Sequence, residues 1–233
     1  MKKKQLSIFD VDRTLFNGPS TEWALKSLAK GGLLKQHTAT LAKLDRMNNP
    51  DGDQVPYISA VGKVLASVIG DVPIDALQRN ATEAANAWRK MVFREMEQEI
   101  GEAQQRGRIL VISHGPDAFI RPFAKLIRAD YAIGRSPEDF TERRKPKKLV
   151  MAATACLNAG IDFAWSNPDW ETTVYGDDPN DVPLLQLATA PVLVNPMTAE
   201  LREYGKAEGW RILDCAGINQ YGEYGYLEGR FVA

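Results

Sequence analysis

Three short apolar runs in this chain each stop at a polar residue, and that pattern restricts the fold more than any other feature. Leu6-Ser7-Ile8-Phe9 halts at Asp10, Ile109-Leu110-Val111-Ile112 at Ser113, and Thr172-Thr173-Val174-Tyr175 at Gly176-Asp177. Runs this short, apolar and rich in β-branched or aromatic residues read as strands buried on both faces. Pro191 to Val194 and Arg211 to Leu213 read as two more, and helical patterns separate them over Pro116 to Arg128, Lys147 to Asn158, Asp181 to Ala188 and Thr198 to Glu208. Alternating strands and helices predict an α/β fold, a doubly wound, Rossmann-like parallel sheet with helices on both faces. In such sheets ligands gather beyond the carboxyl ends of the strands, where Asp10, Ser113 and Asp177 would converge.

From Phe16 to Arg106 the pattern changes. No strand is evident, and Leu77, Ala81, Ala84, Trp88, Met91 and Val92 recur at three- and four-residue steps, which predicts one long helix ended by Gly107 as a left-handed cap. Asn48 to Asp53 is rich in turn formers and reads as the break between two helical pairs. The expected division is an α/β core of residues 1–15 and 107–233 with a helical domain of residues 16–106 inserted after the first strand. The tail from Ala216 to Ala233, with four glycines among Tyr221, Tyr224, Tyr226 and Phe231, carries no assigned role.

Basic and acidic residues nearly cancel, 29 against 30, so no global field favours nucleic acid or an anionic membrane. The Arg143-Arg144-Lys145 run with Lys147 and Lys148, in a nearly neutral chain without stacking aromatics nearby, reads as a solvated basic loop and not a nucleic-acid surface. The apolar run after the basic start is broken by Asp10 and Asp12, unlike a secretory signal, and no run reaches the roughly 20 residues of a bilayer span. Cys156 and Cys215 lack metal-ligand spacing and suit a reducing compartment, so the expected location is the cytoplasm.

The acids fit phosphoryl transfer. Asp10 at a strand tip is the candidate nucleophile, and Asp12, two residues on, is the candidate general acid and then base. A phosphate dianion near Asp10 and Asp177 needs a cation, and Mg²⁺ accepts one or two carboxylates with water and substrate oxygens. Asp178 or Asp181 would be a further ligand or support. Ser113 would hydrogen-bond a phosphate oxygen beside a free Gly115 amide and the following helix start. A lysine opening the next helix would balance the charge, and Lys145, Lys147 and Lys148 are all candidates. His114 would line the pocket without a role the reaction requires, and His37 reads as a surface residue.

Taken together, FDVDRTL (Phe9 to Leu15), VISHG (Val111 to Gly115), KPKKLV (Lys145 to Val150) and YGDDPNDVPLL (Tyr175 to Leu185) resemble the haloacid dehalogenase superfamily, in the branch of small-molecule phosphatases with a helical cap. VLVNP (Val192 to Pro196) and EGWRILD (Glu208 to Asp214) are similar to that branch too. The resemblance implies Asp10 as nucleophile and metal ligand, Asp12 as acid/base with a metal contact through its carbonyl, and Ser113 and Lys148 on the phosphate. It also implies Asp177 as metal ligand, with Thr14, Asp178 and Asp181 supporting.

The implied activity is Mg²⁺-dependent hydrolysis of a small soluble phosphomonoester. The alternatives are a phosphotransferase or phosphomutase with the same residues and a catalytically silent phospho-ligand binder. A dehalogenase has no use for the second acid at Asp12. Phosphoserine is disfavoured because Pro19 stands where that subgroup carries an acid, with Glu22 three positions on. Lipid-linked glycerophosphate is disfavoured by the missing membrane segment, and histidinol phosphate stays open.

Overall fold

The computed structural model describes residues 3–48, 55–142, 145–162, 165 and 167–215. The expected turn after Asn48, the Arg143-Arg144 pair and the tail from Ala216 lie outside the described residues. Six strands, β1 (Lys4–Phe9), β2 (Arg108–Pro116), β3 (Tyr131–Arg135), β4 (Trp170–Gly176), β5 (Ala190–Val194) and β6 (Arg211–Leu213), form one sheet in the order β3-β2-β1-β4-β5-β6. Every pairing is parallel. The expected doubly wound α/β sheet is what forms.

Alternation along the strands explains why both faces are covered. Leu6 and Ile8 of β1, Leu110 and Ile112 of β2 and Val174 of β4 pack on one face with Met151, Ala152 and Cys156 of α8 (Lys148–Asn158). On the opposite face Phe9, Ile109, Val111, Tyr175, Val192 and Val194 join the core of the helices between β1 and β2. β3 was not anticipated. Only Ala132 is fully buried among its five residues, so this edge strand lacks the apolar run that marks its neighbours. The short helix after it, Pro137–Thr141, opens with a capping box between Ser136 and Asp139.

Among the described residues, five α-helices lie between β1 and β2: α1 (Ser20–Lys30), α2 (Thr38–Met47), α3 (Val55–Ile69), α4 (Ile74–Arg89) and α5 (Arg94–Arg106). The single long helix expected here is two. The chain leaves the helical path after Arg89 because Phe93 N donates to Leu15 O at 2.9 Å and Val92 bridges Phe16, so the returning segment pairs with the outgoing one. Leu77, Ala81, Ala84 and Trp88 remain one buried stripe on α4, whereas Met91 and Val92 are buried from the connection. Gly107 does follow the last helical residue, but its φ of 176° is extended, not left-handed. Its need is space: a Cβ there would lie 2.2 Å from the Gln5 carbonyl oxygen.

Aromatic rings join these helices to the sheet layer. Phe16 stacks on Trp23 at 4.8 Å, and Trp88 lies 5.9 Å from Phe119 of α6 (Asp117–Leu126). All but Trp23 are completely buried, and rings of this size dominate a core's energetics. α5 returns onto the sheet itself, its Glu99 accepting from Tyr175 Oη of β4 at 2.6 Å and pairing with Arg211 of β6 at 2.7 Å. No helix among the described residues is long and apolar enough to cross a membrane.

Candidate active site

β1 and β4 are neighbours in the sheet, with Phe9 opposite Tyr175. The pairing continues one step, as Asp10 N donates to Tyr175 O at 3.0 Å, so Asp10 and Asp177 emerge side by side at the carboxyl edge where the strand order reverses. Beyond them the chain turns back through Asp178 to Asn180. The Asp181 carboxylate then accepts from the amides of Asp177 (3.1 Å) and Asp178 (3.2 Å). Glycine at 176 is what permits this, because a Cβ there would sit 2.5 Å from the Asp181 side chain. Asp10, Asp177 and Asp181, all buried, each bring a carboxylate oxygen within 4.8 Å of the other two.

One buried cation answers these three acids. Lys148 opens α8, and its Nζ lies 2.6 Å from Asp10 Oδ1 and 2.5 Å from Asp181 Oδ1. Lys145 and Lys147 are exposed; of the three candidate lysines the structure puts Lys148 among the acids. Burial pulls its ammonium down, but Asp10 and Asp181 more than offset this and hold it above the ordinary range. The acids remain under-compensated. Burial, with the neighbouring carboxylates, raises Asp10, Asp177 and Asp181 above the usual aspartate range despite Lys148.

Thr14, fully buried, reaches Asp177 Oδ1 at 3.3 Å and Asp10 Oδ2 at 3.4 Å, and its one hydroxyl proton serves one of them at a time. Asp177 Oδ2 has no hydrogen-bond partner. Arg13 Nε lies 3.3 Å from it, close enough to pair by charge but not aligned to donate. A buried carboxylate oxygen left in this state, in an all-oxygen donor set, fits a hard divalent ion such as Mg²⁺. Asp178 accepts from Asn180 N at 2.6 Å and Asn180 Nδ2 at 2.9 Å, and, against the upward pull of burial, the nearby Lys148 ammonium helps to hold its carboxyl below the ordinary range.

Asp12 is half-buried, and its Oδ1 accepts from Ser20 N at 2.8 Å, tying it to the first residue of α1. Burial raises its carboxyl and the Ser20 hydrogen bond lowers it, for a net rise. Ser113 is fully buried, and its Oγ accepts from Gly115 N at 2.9 Å. The Gly115 amide expected to be free is therefore engaged by the serine, whose own hydroxyl proton stays available to a ligand. His114 Nε2 bonds Pro146 O at 2.9 Å, and burial pushes the ring down to about 4. A neutral imidazole there braces the segment that leads into Lys148.

Arg13 and Ser20 were not foreseen. Arg13 sits inside the quoted motif, but nothing in the sequence predicts its left-handed φ of 59°. Ser20 lies eight residues from Asp12, and its buried Oγ has no partner beside Gly115. That contact arises only from the packing of α1 on the β2 loop.

A model of the haloacid dehalogenase-like hydrolase family matches residues 8–186, and the chain belongs to that family. It is 27% identical over 223 residues to a histidinol-phosphatase of Neisseria meningitidis serogroup C (strain 8013), covering 91% of this chain and 99% of the relative. In structure it is similar to a protein of unknown function from Bordetella pertussis Tohama I, with a TM-score of 0.68, 21% identity, and coverage of 92% of this chain and 100% of the other. A phosphoserine phosphatase in apo form aligns with a TM-score of 0.51 and 17% identity, covering 92% of this chain and 94% of that one. These structural likenesses carry the fold alone.

Proposed function

We propose that the protein is a Mg²⁺-dependent phosphatase that hydrolyses a small soluble phosphomonoester through an aspartyl-phosphate on Asp10. The observation that carries this reading is the buried triad of Asp10, Asp177 and Asp181 around Lys148, in a chain whose family is hydrolytic. In the proposed division, residues 16–106 form a cap over a core of residues 1–15 and 107–233. The cap selects the leaving group, since the phosphate machinery itself does not encode it. We assign the protein to the cytoplasm, with no nucleic-acid or membrane partner.

Asp10 Oδ attacks phosphorus as the bond to the substrate oxygen breaks, and Asp12 passes its proton to that leaving oxygen. Asp12, now ionised, takes a proton from the water that cleaves the acyl phosphate, which restores Asp10. Lys148 and the Ser113 hydroxyl hold the phosphoryl oxygens, with Gly115 and His114 shaping the loop beside them. Asp10, Asp177 and the Asp12 carbonyl would hold Mg²⁺, with Thr14, Asp178 and Asp181 supporting them. When bound, the ion supplies charge neutralisation between the phosphate and the carboxylates.

Histidinol phosphate heads the substrates to be tried, on the strength of the Neisseria relative. Phosphoserine ranks below it, as Glu22 is occupied by Tyr57 and Lys26 at 2.8 Å each. The test is turnover of a generic aryl phosphate with Mg²⁺, followed by a panel of phosphorylated metabolites. The reading predicts hydrolysis that vanishes in Asp10→Asn, and equal turnover in that variant would remove Asp10 from its role. Transfer to an added alcohol in preference to water would favour a phosphotransferase instead.

A further inference from the structure

The two cations at the site are held in opposite ways. Lys148 has a side chain 3% exposed and two carboxylate partners, so moving it to solvent would break two buried ion pairs. The Arg13 side chain is 44% exposed and faces one oxygen, Asp177 Oδ2, from a residue only 2% exposed. That oxygen is the one without a hydrogen bond, and thus the one best placed for a metal. Leaving it returns the guanidinium to solvent at little desolvation cost.

The position is also maintained against a backbone preference. Arg13 has φ 59°, a left-handed conformation that an L-residue with a Cβ adopts only at a cost, where Gly would sit freely. The far end of the side chain is guided too. Arg13 Nη2 donates to Met197 Sδ at 3.4 Å, and Met197 N is tied to the Asp177 carbonyl at 3.0 Å. Met197 is 51% exposed, an otherwise unexplained apolar side chain in a position to shelve the guanidinium over Asp177.

We propose that Arg13 is an intramolecular competitor for the divalent cation: it covers Asp177 Oδ2 in the metal-free protein and moves off when Mg²⁺ binds, so that it sets metal affinity. This rests on the reading of Asp177 as a metal ligand. Removing the guanidinium should tighten Mg²⁺ binding, whereas a residue that merely supports the loop would weaken it or leave it unchanged.

The experiment is a calorimetric titration of the full chain with Mg²⁺ alone, on the wild type, Arg13→Gln, Arg13→Lys and Asp177→Asn. Gln keeps a long polar stem without charge, Lys keeps the charge, and circular dichroism verifies that each variant is folded. The expected result is binding about three- to tenfold tighter in Arg13→Gln, an affinity nearer the wild type in Arg13→Lys, and loss of binding in Asp177→Asn. Unchanged or weaker binding in Arg13→Gln, with Asp177→Asn still deficient, overturns the competitor role and leaves the metal site standing. Wild-type binding in Asp177→Asn overturns the metal site itself.

Discussion

Near the carboxyl end of β4 the protein buries a single acid against Tyr175 and a cluster of acids just beyond it, and it treats the two differently. Glu99, 8% exposed, is answered in full: Tyr175 donates at 2.6 Å and Arg211 pairs at 2.7 Å. Burial pushes its carboxyl up, but these partners more than reverse that, and it ends below the ordinary range. Two residues beyond Tyr175, Asp177 joins Asp10 and Asp181, with Lys148 the one buried cation among the described residues there, and all three acids are raised. A satisfied acid braces the fold. An under-compensated cluster at a strand-end crevice is a demand for a further cation, and such perturbed groups mark functional sites.

The largest effect expected from breaking this contrast is on turnover. Asp10→Asn should cut aryl phosphate hydrolysis on the order of a thousandfold or more, while metal-free thermal unfolding shows no loss of stability, because one of three crowded charges is gone. Next is Lys148→Met, which removes the buried cation that pairs with Asp10 and Asp181. It should cost about 3 kcal/mol in urea unfolding without metal and impair turnover as well.

Glu99→Gln is the matched change in the other group, expected to cost about 1–2 kcal/mol with kcat within about twofold of wild type. Its pH signature has a definite sign. A carboxyl lowered on folding adds stability above its unfolded value near 4.5, and that contribution is lost as pH falls through the lower folded value. The stability gap between wild type and Glu99→Gln should therefore close below about pH 4.5. The smallest effect is that of Thr14→Val, whose contacts at 3.3 and 3.4 Å are long, so a few-fold loss of kcat and about 1 kcal/mol or less are expected.

What the sequence disclosed follows the same physics. β1, β2, β4 and β5 were legible because both faces are buried, which forces apolar runs, and Asp10, Ser113 and Asp177 because strand ends fix their place. β3 was not, since half-exposed Tyr131, Ile133, Gly134 and Arg135 leave no run to read. The helix through Met91 was over-extended because its periodicity continues into a segment that pairs with Leu15 and Phe16. Sequence left three lysines open because helix phase against the sheet decides which is buried. Arg13 was hidden for a like reason: a positive φ on a non-glycine residue is imposed by surroundings that only the folded chain supplies.

The central claim is that the under-compensated acids, with a divalent cation, let Asp10 take a phosphoryl group. It is tested most directly by acid-quenching the wild-type protein during turnover of an aryl phosphate and mapping covalent phosphate by peptide mass spectrometry, with Mg²⁺ and with chelator. The account predicts one phosphoryl group on the peptide holding Asp10, present with Mg²⁺ and absent with chelator. Sustained Mg²⁺-dependent turnover with that phosphoryl group on another residue, or an adduct on Asp10 formed equally well under chelator, would contradict it.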